Sequence, residues 1–406
     1  TDPDSLCINR PTVSSPLHFV CRNKDEKVNL LRVMLNRLKN LSTPDKCYLD
    51  YMLKQEDSSR QTLIHIAIRN NHLKIAEMLF SEFLIDKEIR ESKHGNYLIH
   101  AAAKNGSVQL LYILQKYDAI SFKTNFDNKN ALHIACENNS VNFLREFLKF
   151  ELDLINNTNE NEGILRCACV CDQQIHVPSV NVLSKQRFTP LMTAIAHCNH
   201  KCVEEICNLW RNVDMDLKDI EGNSIYHLCA KYNNTESLQF LLNKFFNKTS
   251  ELLYSKNGID DTVFHIASRY GYLEIIKIFI DKISASTNIS INTLLLSQNK
   301  DGQTCFHIAC AKGYANIAHY FLKDKKMIVY LDYTDNNMNT SLHLATDGGP
   351  SSVVGMLLEY GLDFDAKNDE NLTALDLSCR KGLFEISKLL ISKYSIMTNS
   401  HTPLHT

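Results

Sequence analysis

The chain has 406 residues, of which 44% are apolar and 22% charged, proportions that exclude a disordered or collagen-like polymer. Its 44 basic and 46 acidic side chains leave a formal charge of -2, so it lacks the sequence-independent attraction to phosphate on which nucleic-acid binders depend. The 14 cysteines and 16 histidines are the anomaly. A metal protein, a redox protein or a thiol enzyme would explain them, and so would a repeat that uses them as building material. No basic stretch followed by an apolar core marks a leader, and apolar runs such as 273–283 are broken by charge before the ~18 residues that a spanning helix needs. Cysteines scattered over a long chain fit a reducing, cytoplasmic setting better than a disulfide framework.

In chain order, one short signature recurs. SPLH ends at His18, TLIH at His65, YLIH at His100 and NALH at His133. TPLM ends at Met192, SIYH at His227, TVFH at His265, TCFH at His307, TSLH at His343 and TALD at Asp376. The steps His65 to His100, His100 to His133, Met192 to His227 and His343 to Asp376 are 35, 33, 35 and 33 residues. One position before the histidine is large and apolar, as at Ile64, Leu132 and Phe306. Two positions after it is small, as at Ala67, Ala102, Ala135, Ala194, Ala267, Ala309 and Ala345, which lets neighbouring helices approach closely. Six positions after it stand Asn71, Gly106, Asn139, Asn233, Gly271, Gly313, Gly349 and Gly382, residues that tolerate the left-handed backbone ending a helix. A second apolar pattern with i, i+3, i+4 spacing follows, as at Ile275, Ile276, Phe279 and Ile280. Gly95, Asn128, Gly222, Gly302 and Asn371, five positions before the histidine, supply turn formers. Each repeat is predicted to read turn, helix, short turn, helix.

These motifs, FHIACAKGY at Phe306 to Tyr314 and SLHLATDGG at Ser341 to Gly349 above all, resemble the TPLHxAAxxGH core of the ankyrin-repeat family. The resemblance implies an all-α ankyrin-repeat solenoid of about eleven helix-turn-helix units, some irregular and the C-terminal one truncated. It also implies a concave surface of hairpin tips and first helices that binds protein partners. The expected organisation is N-terminal repeats over 1–160, a degenerate short repeat over 161–188 with Arg166 in the histidine place, repeats over 189–395, and the start of a further, truncated repeat over 396–406. The steps of 47 residues from His18 to His65 and 42 from His265 to His307 predict elongated helices or long loops over Asn40 to Leu53 and Ser284 to Leu296. The closing TPLHT, the opening of another repeat, is expected to mark a fragment of a longer protein.

Repetition also weighs the candidate chemistry. The repeat-framework histidines His18, His65, His100, His133, His227, His265, His307 and His343 are expected to bond to backbone and to the motif Thr. Cys21, Cys136, Cys169, Cys310 and Cys379, three positions after the signature, are expected to pack. The dense run Cys167, Cys169, Cys171, His176, His197, Cys198, His200, Cys202 and Cys207 lacks the paired-knuckle spacing of a zinc site, so no metal is expected. Cys198 stands where other repeats carry Gly or Asn, and is the candidate exposed reactive thiol. Asp363 and Asp365 lack the Gly and closing Glu of a calcium loop. No phosphate-binding loop, nucleophile elbow or zinc-protease motif occurs, so no catalytic residue, no cofactor and no enzyme activity is expected.

The stretch from Thr340 to Ser395 is similar to the middle and late repeats of transient receptor potential cation channels of subfamily A. That resemblance implies the cytoplasmic arm of a tetrameric channel at the plasma membrane, coupling stimuli or partners to the gating of ion transport. It implies no nucleic-acid partner, and membrane association only through a region beyond Thr406. The alternative is a soluble scaffold or adaptor in the cytoplasm that binds proteins. A targeting arm for an enzyme domain beyond Thr406 is a third reading.

Overall fold

The computed structural model describes residues 14–23, 27–41, 47–83, 85–158, 179–210, 213–285, 291–323 and 333–400. Two bodies divide the chain, Thr1–Asp214 and Met215–Thr406. In the first, signature helices alternate with partner helices: α1 (Pro16–Arg22) with α2 (Val28–Leu41) and α3 (Cys47–Lys54), α4 (Leu63–Arg69) with α5 (Leu73–Glu82), α6 (Leu98–Asn105) with α7 (Val108–Lys116), α8 (Ala131–Glu137) with α9 (Val141–Thr158), and α10 (Pro190–Ala196) with α11 (His200–Leu209). In the second the pairs are α12 (Ile225–Lys231) with α13 (Thr235–Thr249), and α14 (Val263–Tyr270) with α15 (Leu273–Ser284) and the short α16 (Ile291–Leu295). They continue with α17 (Cys305–Lys312) and α18 (Ala315–Lys323), α19 (Ser341–Gly348) and α20 (Ser351–Glu359), and α21 (Ala374–Arg380) and α22 (Phe384–Ser400). Among the described residues the only β pairing is an isolated bridge between Arg90 and Tyr97.

Within each body the repeats stack. The signature helices α1, α4, α6, α8 and α10 form one layer and α5, α7, α9 and α11 another. The second body likewise layers α12, α14, α17, α19 and α21. The small-residue column is fully buried at Ala67, Ala102, Ala135, Ala194, Ala267, Ala309 and Ala345, which sets the close approach of the signature helices. Partner helices contribute bulk. Phe279 of α15 lies 5.7 Å from the ring of Phe264 and meets Tyr226 edge-on at 6.0 Å, all three buried.

The two stretched repeats resolve differently from either expectation. After a long α2 the surplus residues add a third helix, α3, that buries Leu53. After α15 they add α16, whose Leu294 and Leu295 are buried. Apolar residues on one face make short helices where a polar sequence would have made a loop. Across residues 159–178, the α8–α9 pair packs directly on α10–α11. The expected Arg166 repeat, 161–188, falls largely outside the described residues, which contain only residues 179–188 of it, opening on a 3-10 turn at Ser179–Asn181.

Left-handed backbone appears in two columns, as the turn formers predict. At the hairpin tips φ is positive at Gly95, Asn128, Gly222, Gly302 and Asn371, but also at Arg60, Arg187, Asp260 and Met338. The fold therefore imposes this conformation even on side chains that resist it. Met338, with φ 57 and 54% exposure, gives up little packing. Met338→Gly is expected to stabilise the protein by about 0.5–1 kcal/mol. A lower denaturation midpoint for the variant would sink that account.

The helix-end column holds the same conformation at Asn71, Gly106, Asn139, Cys198, Asn233, Gly271, Gly313 and Gly382. Gly349 departs from it, with φ -95 and ψ 163. Pro350 follows, and a residue before proline is pushed into extended backbone. Glycine is required there for space instead: a Cβ would lie 2.8 Å from the carbonyl oxygens of both Ala345 and Cys310.

Candidate functional site

Each signature histidine is a two-way clamp. Its Nδ1 accepts the backbone N–H three residues earlier at 3.1–3.2 Å in seven repeats. In the His65 repeat the partner of Nδ1 is Thr62 Oγ1, at 2.9 Å. An N–H can only donate, so the ring proton sits on Nε2 in those seven repeats. That nitrogen faces a backbone carbonyl of the following repeat at 2.8–3.3 Å: Gln55 from His18, Asn96 from His65, Lys129 from His100 and Phe188 from His133. The series continues with Asp261, Gln303, Tyr333 and Leu372 from His227, His265, His307 and His343. Burial penalises the imidazolium and holds His65, His100, His133, His227 and His265 down at about 4, with His18 and His307 also lowered. The bonds to backbone and motif hydroxyls are those expected from the sequence. The bridge to the next repeat is an addition that the structure supplies.

A second ladder was not read in the sequence. Eight positions before the signature residue, a buried Asp or Asn caps the hairpin. Asn125 Oδ1 accepts Asp127 N and Lys129 N, Asp219 Oδ1 accepts Glu221 N and Asn223 N, and Asn299 Oδ1 accepts Asp301 N and Gln303 N. Where the residue is Asn, its amide donates backwards to the preceding hairpin, as from Asn257 to Asn223 Oδ1 at 2.9 Å and from Asn299 to Asp261 Oδ1 at 2.9 Å. Successive tips are also joined by single backbone bonds, such as Lys300 N to Ile259 O at 3.1 Å. The spacing of these residues was the available signal, but Asp and Asn are common enough in turns to hide it.

The signature histidines and the hairpin Asp and Asn are thus bonded within the array, whereas Ser268, Ser341 and Thr346 on signature helices bury hydroxyls that have no partner among the described residues. Tip and helix-end side chains face outward. In the first body these line a cleft of about 1010 Å³ that includes Arg60, Arg69, Lys93, Glu91, Lys104 and Asp127. Exposed apolar side chains occur at the tips, at Phe126 in the first body and Ile220, Ile259 and Met338 in the second, as well as on helices, at Leu30, Val33, Tyr112 and Ile391.

The thiols divide by burial. Cys21, Cys136 and Cys310 are buried as expected, and burial pushes the Cys21 thiol up to about 12 and raises the other two. Cys379 is exposed, contrary to the packing expectation, because α21 packs on α19 and no further repeat among the described residues covers its other side. Cys167, Cys169, Cys171 and His176 lie outside the described residues. Among the described residues no group of three His, Cys, Asp or Glu side chains is placed to hold a metal ion. Asp365 N donates to Asp363 Oδ1 at 2.9 Å, an ordinary turn.

Cys198 is exposed at φ 56 in the helix-end column, and partial burial of the sulfur raises its pKa. An exposed thiol without acidification should alkylate in the folded state at a rate that keeps rising with pH beyond about 8.5. Mass-spectrometric counting of iodoacetamide adducts at Cys198 across pH checks this. A rate already level below neutrality would show an activated thiolate instead.

The ankyrin-repeat profile, three repeats in length, matches residues 98–207, 169–251, 191–293, 245–329 and 265–368, together more than half of the chain. No curated relative matches. Among solved structures, that of EF0377, an ankyrin repeat protein, is similar at 24% identity over 50% of this chain and 96% of that one, with a TM-score of 0.42. The ankyrin repeat domain of Bcl-3, a unique member of the IkappaB protein family, is similar at 15% identity over 66% and 98%, with a TM-score of 0.47. Signature spacing, clamped histidines and profile coverage together make the chain a member of the ankyrin-repeat family.

Proposed function

We propose that the chain is a protein-binding scaffold whose hairpin tips and signature-helix ends hold the partner. The observation that carries this reading is the placement of exposed apolar residues on the tips, at Phe126, Ile220, Ile259 and Met338, while the signature histidines and the hairpin Asp and Asn are bonded within the array. Peptide-display selection on the intact chain tests it. Binders should lose affinity on Ile220→Asp or Ile259→Asp and keep it on Phe384→Asp, which alters an exposed apolar residue of α22. Binders indifferent to the tips, or no binders at all, would overturn the reading. A finer proposal, that the scaffold is the cytoplasmic arm of a tetrameric cation channel, is supported by the likeness of residues 340–395 alone. None of the described helices is long and apolar enough to cross a membrane. Reading the transcript past Thr406 decides: about six apolar segments after further repeats support the channel, and a stop codon or soluble domain removes it.

A further inference from the structure

We infer that the cleft of the first body is built for an acidic peptide, with Arg69 and Lys104 as its paired anchors. This rests on the partner-binding reading above and names the chemistry of the partner. Four positions after the signature residue, at the end of the signature helix, the chain repeatedly places a cation, and the fold normally gives it a counter-ion from a hairpin. Arg22 meets Asp57 at 2.6 Å, Lys231 meets Glu221 at 2.7 Å, Arg269 meets Asp261 at 2.7 Å and Arg380 meets Glu370 at 2.5 Å.

Those acids occupy three places: eight before the next signature residue for Arg22, and six or four before the cation's own signature residue for Lys231, Arg269 and Arg380. At Arg69 the corresponding residues of its own hairpin and the next are Ser59, Gln61 and Ser92. At Lys104 they are His94, Asn96 and Asn125. None is an acid. The acids at the remaining places are taken, Asp57 by Arg22 and Asp127 by Lys185. Among the described residues neither Arg69 nor Lys104 has an ion pair, and both are exposed at the cleft. Arg60 and Lys93 on the adjoining tips add two more exposed cations without one.

The carboxylates that line the same cleft do not cancel this charge. Glu137 is paired with Lys129, and Asp127 lies 3.6 Å from Lys185. Glu91 is buried and held by the amides of Gln61 and Asn96, one negative charge against four cations. The counter-ions that meet the other four helix-end cations are missing in two consecutive repeats, both of which line the cleft of about 1010 Å³. That pattern fits carboxylates supplied from outside.

Geometry adds a spacing. Arg69 and Lys104 close α4 and α6, which pack side by side. Packed helices lie about 8–10 Å apart, the reach of about three extended residues. The matching ligand is an extended segment with carboxylates three residues apart.

The test is fluorescence anisotropy on the full chain, using a labelled peptide with Glu at every third position and otherwise Ala, Ser and Gly. Its comparators carry Gln or Lys at those positions. The acidic peptide should bind, the Gln and Lys versions should bind at least about ten-fold more weakly, and affinity should fall as salt is raised. Arg69→Glu with Lys104→Glu should weaken binding by about ten-fold or more, while Lys74→Glu, an exposed change on α5, should not. Arg69→Gln with Lys104→Gln removes charge at similar length and covers the case in which the reversal variant does not fold. Equal binding of the Glu and Gln peptides, or indifference to both double variants, overturns the inference. So does inorganic tripolyphosphate binding where the acidic peptide does not. Tip-dependent binders from the display selection that ignore Arg69 and Lys104 would overturn this inference while leaving the scaffold reading standing.

Discussion

The thermal unfolding midpoint should fall steadily as pH drops from about 6.5 to about 4, before most carboxylates have taken up protons. The folded pKa values of His65, His100, His133, His227 and His265 are depressed to about 4, because burial disfavours the imidazolium. In the unfolded chain these groups titrate near 6.5. Above that pH they are neutral in both states and the full stability is present. Below it the unfolded chain takes up protons that the folded one refuses, so each histidine removes about 1.4 kcal/mol per pH unit until its folded pKa is reached. By pH 5 the loss is about 2 kcal/mol per histidine, with three such histidines in the first body and two in the second. His18 and His307 act in the same direction. Circular-dichroism melts at stepped pH check this. A midpoint that stays level down to pH 5 would contradict the buried, neutral clamp.

The second large effect follows from removing one clamp. His133→Met should destabilise the protein by about 2–5 kcal/mol, even though Met192 occupies the same column and shows that the side chain fits there. His133 Nδ1 receives Asn130 N at 3.2 Å, and Nε2 donates to Phe188 O at 2.8 Å. The thioether replaces neither bond well, so a buried N–H and a buried carbonyl each lose a partner, at about 1–3 kcal/mol apiece. Denaturant titration measures the change, and a loss below about 0.5 kcal/mol would mean that the ring serves only to fill space.

The repeat was legible because its constraints are steric and periodic. The buried alanine column, the helix-end glycines and the signature histidines each occur where only a few residue types fit, so the columns stand out in a single sequence. Met338 and Arg60 were hidden for the opposite reason. Stacking neighbours force their left-handed backbone, and nothing in the residue itself announces it. Gly349 was read for conformational freedom and proved to be needed for space, a distinction set by Pro350 and by the neighbouring helix ends. The cleft was not legible at all. Its cations are ordinary surface residues in sequence, and they become notable only once the hairpin positions opposite Arg69 and Lys104 prove to carry no acid.

The direct stacking of α8–α9 on α10–α11 has a consequence for register. Asn130 Nδ2 donates to Ser179 O, and Glu151 of α9 accepts from Ser179 N, so the point of re-entry is fastened to the repeat the chain has just left. The ends of the 159–178 segment are thereby fixed by contacts outside it. The register of α10 on α8 is therefore held by bonds that reach across the intervening chain, and this place joins the 47- and 42-residue steps as one where stacking is kept although the period is not.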